Sequence, residues 1–279
     1  MKRKKRIGTA AKAVGCAVLL MISLFPIYWL LAMAIRPTDE MRGHIALIPQ
    51  SLTGMHFAQL FTSENFGQAI MNSLQTTFGS LIISLLAGIC AAYVIARRRF
   101  RFGLKKPMTY WVLLVRVLPP VAFTIPLYIM FNRLGVLNTK LPVMLACVLI
   151  NVPLIIWFLI SFFQDLPEEI EESAKVDGAT EWQLFCKIVL PLVAPGIAAV
   201  SMLSFMYAWN EYTYTVIFTR IPANNTVPLA LALLNTEDNL TNFGLVAAGG
   251  VISVIPIPLF VIFAQNYLIS GLSSGAVKE

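Results

Sequence analysis

Charged residues are scarce in this chain: Asp, Glu, Lys and Arg together make up 13% of its 279 residues. A soluble domain of ordinary composition carries about 25% charged residues. Hydrophobic residues account for 58% of the chain, and its mean hydropathy is +0.75. The shortage of charge therefore excludes an ordinary soluble domain. It indicates an integral membrane protein whose length suits one domain of several helices.

Cysteine and histidine are too few and too scattered for a disulfide framework or a metal site. No CxxC pair occurs, and His44 and His56 lie apart, so both histidines are predicted to lie on a solvated surface. The four cysteines are predicted to be small buried hydrophobic residues: Cys16, Cys90, Cys147 and Cys186. We therefore predict no metal ligands in this chain.

The chain also lacks the GxxxxGK[ST] loop with which nucleotide hydrolases hold phosphate groups. It is therefore predicted not to hydrolyse ATP and to need no cofactor of its own. No hydrophobic stretch combines a histidine, a cysteine and a carboxylate, which argues against a membrane-embedded enzyme.

Positive charge is concentrated in two blocks, residues 2–6 and 97–106, and each block flanks a hydrophobic stretch. Cytoplasmic loops of membrane proteins carry an excess of Lys and Arg, so these blocks indicate no nucleic acid partner. The first block resembles the start of a signal peptide, and Ala32-Met33-Ala34 resembles a cleavage site. The apolar stretch at 13–35 is longer than a signal core, so an uncleaved first helix is favoured.

Six stretches are apolar over about 20 residues, the length that crosses the hydrocarbon core as a helix. They are residues 13–35, 71–96, 108–131, 141–163, 195–219 and 244–268. Lipid offers no partner to free backbone groups, and a closed barrel would alternate polar with apolar residues, so we predict an all-α membrane protein. With both termini in the cytoplasm, fifteen of the 21 Lys and Arg residues lie inside and five outside. The positive-inside rule favours this orientation.

Residues 165–191 carry half of the acidic side chains. Seven of the fourteen lie here: Asp165, Glu168, Glu169, Glu171, Glu172, Asp177 and Glu181. In the predicted orientation the segment faces the cytoplasm. It is either a surface that meets a partner outside the membrane or a solvated hairpin that covers the end of the helix bundle.

Local signals predict two short helices in this segment. Pro167 suits the first turn of a helix at 167–176, and Gly178 accepts the left-handed turn that ends it. A second helix is predicted to start at Thr180, to continue to about 189 and to be ended by Pro191. Its apolar side is predicted to hold Trp182, Phe185, Cys186 and Val189.

The same segment resembles the EAA loop of the permease subunits of ABC importers. The resemblance rests on Glu172-Ser173-Ala174, Asp177-Gly178-Ala179, Phe185 and Ile188-Val189-Leu190-Pro191, with serine in place of the middle alanine. It implies that the loop docks on an ATPase subunit. Glu172 would then pair with a basic side chain of the ATPase, and Gly178 would make the turn.

Further stretches are similar to the smaller permease subunit of maltose-type sugar importers. They are residues 126–128 with 134–139, residues 205–212 and residues 265–278. The resemblance covers the chain apart from residues 1–12 and the first outer loop, and it implies a type-I ABC-importer permease fold in a bacterial cytoplasmic membrane. It also implies that the C-terminal tail reaches between two ATPase subunits, through Ser274, Gly275, Ala276, Val277 and Lys278.

The resemblance further implies four kinds of partner. These are a second, related permease subunit, an ATPase dimer that binds ATP, a solute-binding protein outside the membrane and the sugar that it delivers. In such transporters the sugar contacts can lie mainly on the partner permease.

Polar residues within the predicted spans are costly and are functional candidates by default. Asn210, Glu211 and Tyr212 lie together in the fifth span, and aromatic rings beside hydrogen-bonding groups are what a sugar pathway needs. The same residues suit a membrane interface or a hydrogen bond between helices equally well. Arg116 in the third span is a further pathway candidate, although a structural or pairing role is favoured.

Prolines and small residues within the spans predict packing features. Four prolines are predicted to interrupt helices at membrane depth, which is tolerated inside protein or beside a cavity: Pro119, Pro120, Pro126 and Pro153. In the second span Gly88 with Ala92 and Ala87 with Ala91, and in the sixth residues 247–250, have the spacing that favours close approach of helices.

Two other classes of transporter stay open. A permease for another solute class, such as polyamines or phosphate, would share the docking loop. A secondary transporter would need titratable groups inside the membrane, where Glu211 is the only acidic candidate.

Overall fold

The computed structural model describes residues 2–41, 45–97, 110–112, 114–115, 117–234 and 242–275. All regular structure in these ranges is helical. The α-helices are α1 (Lys2–Ala34), α2 (Met55–Thr62), α3 (Phe66–Ala96), α4 (Thr124–Arg133), α5 (Leu141–Gln164), α6 (Glu168–Val176), α7 (Glu181–Gln183), α8 (Leu190–Leu192), α9 (Ala194–Trp209), α10 (Thr213–Phe218), α11 (Val227–Leu234), α12 (Asn242–Val254) and α13 (Pro256–Gly275). Short 3₁₀ helices lie at Thr38–Met41, Pro120–Phe123 and Pro222–Asn224.

Four helical stretches are long and apolar enough to cross a membrane. They are Lys12–Ala34, Phe66–Ala96, Leu141–Gln164 and Phe243–Gln265. A fifth candidate is the pair Glu181–Leu192 and Ala194–Trp209, which is bent by 73°. The predicted fifth span, 195–219, is interrupted, because α9 ends at Trp209 and α10 starts only at Thr213.

The predicted third span, 108–131, lies partly outside the described residues. Its described part is helical before Leu118, breaks there, and continues through the 3₁₀ helix at Pro120–Phe123 into α4. Pro119 has extended backbone, with ψ 137°. This is the conformation that a following proline imposes, so the Pro119-Pro120 pair causes the break.

The chain forms two compact units, and the first comprises Met1–Gly67 and Ala230–Ile255. Here Ala34 of α1 packs on Ala247 and Ala248 of α12, beside Leu30. The small residues predicted to form a packing seam do so in this unit. Because α12 presents no bulky side chain there, the two helices approach closely.

His56 of the same unit is buried, so the prediction that it lies on a solvated surface was wrong. It is 1% exposed, and its Nε2 atom lies 3.0 Å from the carbonyl oxygen of Arg36. Helix α12 covers the ring, because a Cβ atom added at Gly244 would lie 2.3 Å from Nε2. The other histidine, His44, lies outside the described residues.

The second unit comprises Gln68–Leu229 and Pro256–Glu279. Its main apolar core joins α3, α5 and α9 through Ala92, Leu159, Phe163 and Val200. The predicted close approach at Gly88 and Ala92 is confirmed, since both are buried against this core, whereas Ala87 of the second predicted pair is exposed. Cys147 of α5 is buried as predicted, whereas Cys16 on α1 and Cys90 on α3 are exposed.

The polar start of α3 holds the loop that precedes α11. The side-chain amide of Asn72, which is fully buried, donates hydrogen bonds to the carbonyl oxygens of Ala223 (2.8 Å) and Asn225 (2.9 Å). The hydroxyl of Ser73 accepts a hydrogen bond of 2.8 Å from the amide of Val227. These polar side chains therefore satisfy loop backbone groups that would otherwise be buried without partners.

Candidate functional site

The acidic segment folds as a hairpin whose first arm is α6. The predicted helix at 167–176 is confirmed, with the observed helix covering Glu168–Val176. Gly178 has φ +82°, its amide donates to the carbonyl oxygen of Lys175 (3.0 Å), and the amide of Ala179 donates to that of Ala174 (3.0 Å). A left-handed residue at this place lets the chain reverse and satisfies the last carbonyl groups of α6.

The second arm differs from the single α-helix predicted at 180–189. It consists of α7, a π-helical stretch at Leu184–Val189 and α8. Thr180 caps α7 reciprocally with Gln183: the Gln183 amide donates to Thr180 Oγ1 (3.3 Å), and the Thr180 amide donates to Gln183 Oε1 (3.0 Å). Pro191 lies inside α8 and therefore does not end the helix; the arm bends after Leu192.

One face of the hairpin is packed onto the membrane-spanning helices. Ala174, Leu184 and Val189 are buried in the same core as Phe163 of α5. The ring of Phe185 lies 4.9 Å from that of Tyr93 of α3, between centroids. Ala179 and Ile188 are partly buried against this core. Four of the residues singled out from the sequence, Ala174, Ala179, Phe185 and Ile188, therefore attach the hairpin to the spans.

The opposite face of the hairpin is exposed. It presents Glu172, Ser173, Asp177, Gly178 and Pro191 from the predicted set. Two exposed apolar side chains that were not among the predicted ATPase-docking residues also lie on the hairpin: Val176 is 88% exposed and Trp182 is 70% exposed. Trp182 was predicted on the apolar side with Phe185, and its ring does lie 6.1 Å from that of Phe185, between centroids, although most of the Trp182 side chain is exposed.

A buried ion pair joins the hairpin to α3. Arg97 Nε lies 2.7 Å from Glu171 Oε1, and both side chains are 8% exposed. The sequence reasoning missed this pair, because Arg97 was interpreted only as a membrane-flanking charge. The burial of Glu171 could have been predicted, because Glu171 lies three residues before Ala174 and therefore shares its helix face.

The pathway candidates of the fifth span lie at the break between α9 and α10. Asn210 is exposed, and its side-chain amide donates to the carbonyl oxygen of Met206 at 2.8 Å. Tyr212 is 42% exposed. Glu211 is buried, and its carboxylate accepts hydrogen bonds from the amides of Tyr214 (2.6 Å) and Thr215 (3.1 Å). The carboxylate thus caps the first turn of α10.

The prolines of the third and fourth spans line a cavity of about 220 Å³. Its walls include Leu118, Pro120, Pro153, Leu154 and Tyr207. The cavity lies where the helical backbone is interrupted at Pro119-Pro120, as expected for irregular backbone at membrane depth. The predicted interruptions at Pro126 and Pro153 were wrong, because these prolines lie inside the continuous helices α4 and α5.

Several sequence candidates cannot be placed. Arg116 lies outside the described residues, as do Ala276, Val277 and Lys278 of the tail. Ser274 and Gly275 are the last residues of α13. Within the described ranges, no group of three or more His, Cys, Asp or Glu residues could hold a metal ion.

Comparison with known proteins connects these features to one family. Residues 84–274, which include the whole hairpin, match the family described as "Binding-protein-dependent transport system inner membrane component". The trehalose transport system permease protein SugB of Mycobacterium tuberculosis is 32% identical over 92% of this chain and 93% of its own length. The diacetylchitobiose uptake system permease protein DasC of Streptomyces coelicolor is 32% identical over 94% and 95%.

The fold is also similar to that of a solved structure. A chain in the crystal structure of a bacterial ABC transporter involved in the import of the acidic polysaccharide alginate superposes with a TM-score of 0.79, at 21% identity. The superposition covers 95% of this chain and 98% of that one. The all-helical fold is therefore that of an ABC-importer transmembrane subunit. The protein is a multi-pass inner-membrane protein, and it belongs to the family of binding-protein-dependent transport system inner membrane components.

Proposed function

We propose that this permease subunit forms half of the translocation pathway of an ATP-driven importer for a sugar or oligosaccharide. Two relatives that match over more than 90% of their length are named for trehalose transport and diacetylchitobiose uptake, which supports the sugar assignment. In this proposal the chain crosses the membrane six times, and both termini and the hairpin at 165–191 face the cytoplasm. The lysine and arginine distribution supports that orientation.

The observation that carries the proposal is the two-faced hairpin. Its inner face is fixed to α3 and α5, and its exposed residues include the acidic Glu172 and the apolar side chains of Val176 and Trp182. Exposed apolar side chains next to charge are typical of a protein docking surface. We infer that this outer face docks on the ATPase subunit.

The mechanism follows from the lack of a nucleotide-binding loop in this chain. Energy has to come from an ATPase dimer below the membrane, which would hold the hairpin in different positions before and after hydrolysis. Alternating access then requires that the ATPase bind the inward-open and outward-open states with different affinity. A second permease subunit would form the other half of the pathway, and a solute-binding protein would deliver the sugar from outside.

Co-purification of a tagged chain tests the docking surface. Wild type is compared with Glu172→Arg and with the matched control Glu168→Arg, which makes the same charge change in the first turn of α6. Wild type and the control are expected to retain an ATPase and a second permease, whereas Glu172→Arg loses the ATPase. A wild-type chain that purifies alone, or retention of the ATPase by Glu172→Arg, would overturn the docking proposal.

The solute class is tested on the solute-binding protein that co-purifies. Its thermal unfolding is measured with trehalose, maltose, diacetylchitobiose, phosphate and a polyamine. A stabilising shift with one of the sugars supports the proposal, because a ligand that binds only the folded state raises its stability. A shift with phosphate or the polyamine alone assigns the permease to another solute class.

A further inference from the structure

The buried pair of Arg97 and Glu171 is positioned between the docking hairpin and a membrane-spanning helix. Arg97 directly follows α3, and Glu171 lies in the middle of α6. Their charged atoms approach to 2.7 Å, with 8% of each side chain exposed. Charges are rarely buried in proteins unless they are paired, so this placement fixes the two side chains to each other.

Additional contacts connect the pair to a third element. Arg97 Nη1 donates a hydrogen bond of 3.2 Å to the carbonyl oxygen of Leu166, in the turn between α5 and α6. The hydroxyl of Tyr93 lies 3.4 Å from Glu171 Oε2. The Tyr93 ring also contacts Phe163 of α5, with 5.4 Å between ring centroids. The pair therefore joins α6 to the cytoplasmic ends of both α3 and α5.

The pair also sets the rotation of α6 about its own axis. Successive helix residues are about 100° apart, because about 3.6 residues complete a turn. With Glu171 held inward by Arg97, Glu172 has to point outward, as the structure shows. Glu171 and Glu172 are thus adjacent carboxylates in different environments. Glu171 is buried and paired inside this chain, whereas Glu172 is exposed and accessible to a partner.

We propose that Arg97 and Glu171 are the positioning residues of the coupling step: their ion pair transmits the movement of the hairpin to α3. This inference rests on the proposed function, since it requires an ATPase that moves the hairpin. Transmission of a movement needs a rigid contact, and a buried ion pair whose two members also make hydrogen bonds to Leu166 and Tyr93 is more rigid than an exposed pair. Apolar contacts at Ala174 and Leu184 keep the hairpin attached, but they are non-directional and resist sliding less.

The hairpin contains an exposed ion pair that serves as a matched control. Lys175 Nζ lies 3.0 Å from Glu181 Oε1 and joins the two arms, with side chains 36% and 65% exposed. Exposed pairs of this kind contribute little to stability and are screened by salt. Breaking this pair is therefore not expected to affect transmission.

The test measures ATP hydrolysed per solute imported by the purified complete importer in proteoliposomes. The variants are Glu171→Gln, Arg97→Met, the charge-swapped double variant R97E/E171R and the control Lys175→Met. Both single variants are expected to retain the ATPase. They are expected to raise the ATP hydrolysed per solute imported by about fivefold or more, because a fivefold change is the lower end of what allosteric coupling free energies produce. The swapped variant is expected to lower the ratio again, and Lys175→Met is expected to match wild type.

A double variant that lacks both charges of the pair distinguishes a loss of transmission from a loss of folding. Replacing a buried ion pair by apolar residues is often neutral for stability, so the double variant R97M/E171L is expected to fold and assemble. Its ratio is expected to stay raised, because the directional contact is absent. A wild-type ratio in the assembled R97M/E171L importer would overturn the inference. Failure of the wild-type chain to retain an ATPase would overturn the proposed function instead.

Discussion

Gly88 of α3 lies directly against Ile155 of α5. A Cβ atom added at Gly88 would lie 2.6 Å from Cγ2 and 2.8 Å from Cβ of Ile155. These distances are shorter than van der Waals contact, and Ile155 itself is fully buried. The two helices can therefore approach this closely only because position 88 has no side chain.

Gly88→Leu is expected to separate α3 from α5 and to destabilise the folded protein. Overpacking of a dense interior costs about 1–3 kcal/mol. Ala87→Leu is the matched control, because Ala87 is the neighbouring small residue and is exposed on α3. The measurement is thermal stability in detergent, followed by the monodisperse fraction in size-exclusion chromatography. Equal melting temperatures for the two variants would contradict the close packing at Gly88.

Gly178→Val is expected to disorder the turn of the hairpin. Gly178 has φ +82°, and a left-handed conformation costs an L-residue roughly 1–2 kcal/mol. Trypsin reports on the turn, because Lys175 and Lys187 lie on either side of it. Cleavage at Lys175 is expected to be faster in Gly178→Val than in wild type. Gly178→Asn is expected to be cut at a rate nearer to wild type, since asparagine tolerates this conformation better, and equal rates for Val and Asn would refute the backbone explanation.

Glu40 makes the stability of the segment between α1 and α2 dependent on pH. A hydrogen bond from the Ser51 side chain, followed by bonds from the Gln50 and Ser51 amides, lowers the pKa of Glu40 below its ordinary value of 4.5. Because the pKa of Glu40 is lower in the folded than in the unfolded state, the ionised carboxylate stabilises the folded segment at any pH above its pKa in the unfolded state. This stabilisation is lost as the pH falls through the pKa of Glu40 in the folded state.

Glu40→Gln is therefore expected to speed hydrogen exchange of the Gln50 and Ser51 amides at neutral pH. At a pH below the lowered pKa of Glu40, wild type and variant are expected to exchange alike, because the wild-type carboxyl is then protonated too. Asp39→Asn is a suitable control, because it removes the neighbouring acidic side chain from the same 3₁₀ helix. An equal difference between wild type and Glu40→Gln at both pH values would contradict the role of the carboxylate.

The first arm of the hairpin could be predicted because its signals are local. Pro167, the glutamates of the first turn and Gly178 each act on a few neighbouring backbone groups, and the helix formed where they indicate. The second arm could not be predicted in the same way. Its π-helical stretch at Leu184–Val189 has i→i+5 hydrogen bonds, which shift the side chains relative to the 3.6-residue period. The prediction of one regular α-helix at 180–189 therefore missed this stretch.

The partner of Glu171 could not be found from spacing, because Arg97 is remote in sequence. The charge of each residue is explained by its neighbours in sequence without an ion pair. Arg97 belongs to the basic block that flanks a membrane span, and Glu171 belongs to the acidic block of a surface hairpin. Only the packing of α6 on the ends of α3 and α5 brings the two charges together. The sequence therefore predicted the hairpin, but not the contact that orients it.

Glu211→Gln is expected to destabilise α10 and not to alter solute recognition. The Glu211 carboxylate accepts hydrogen bonds from the amides of Tyr214 and Thr215 and from the Thr215 hydroxyl at 3.0 Å, and the side chain is buried. Hydrogen bonds to a charged group contribute about 1.5–3 kcal/mol, so the melting temperature should fall. Asn210→Ala is the control, because Asn210 is exposed beside the same break. If Glu211 instead lined the pathway, Glu211→Gln would raise the KM for uptake at unchanged stability, and that outcome would exclude the capping role.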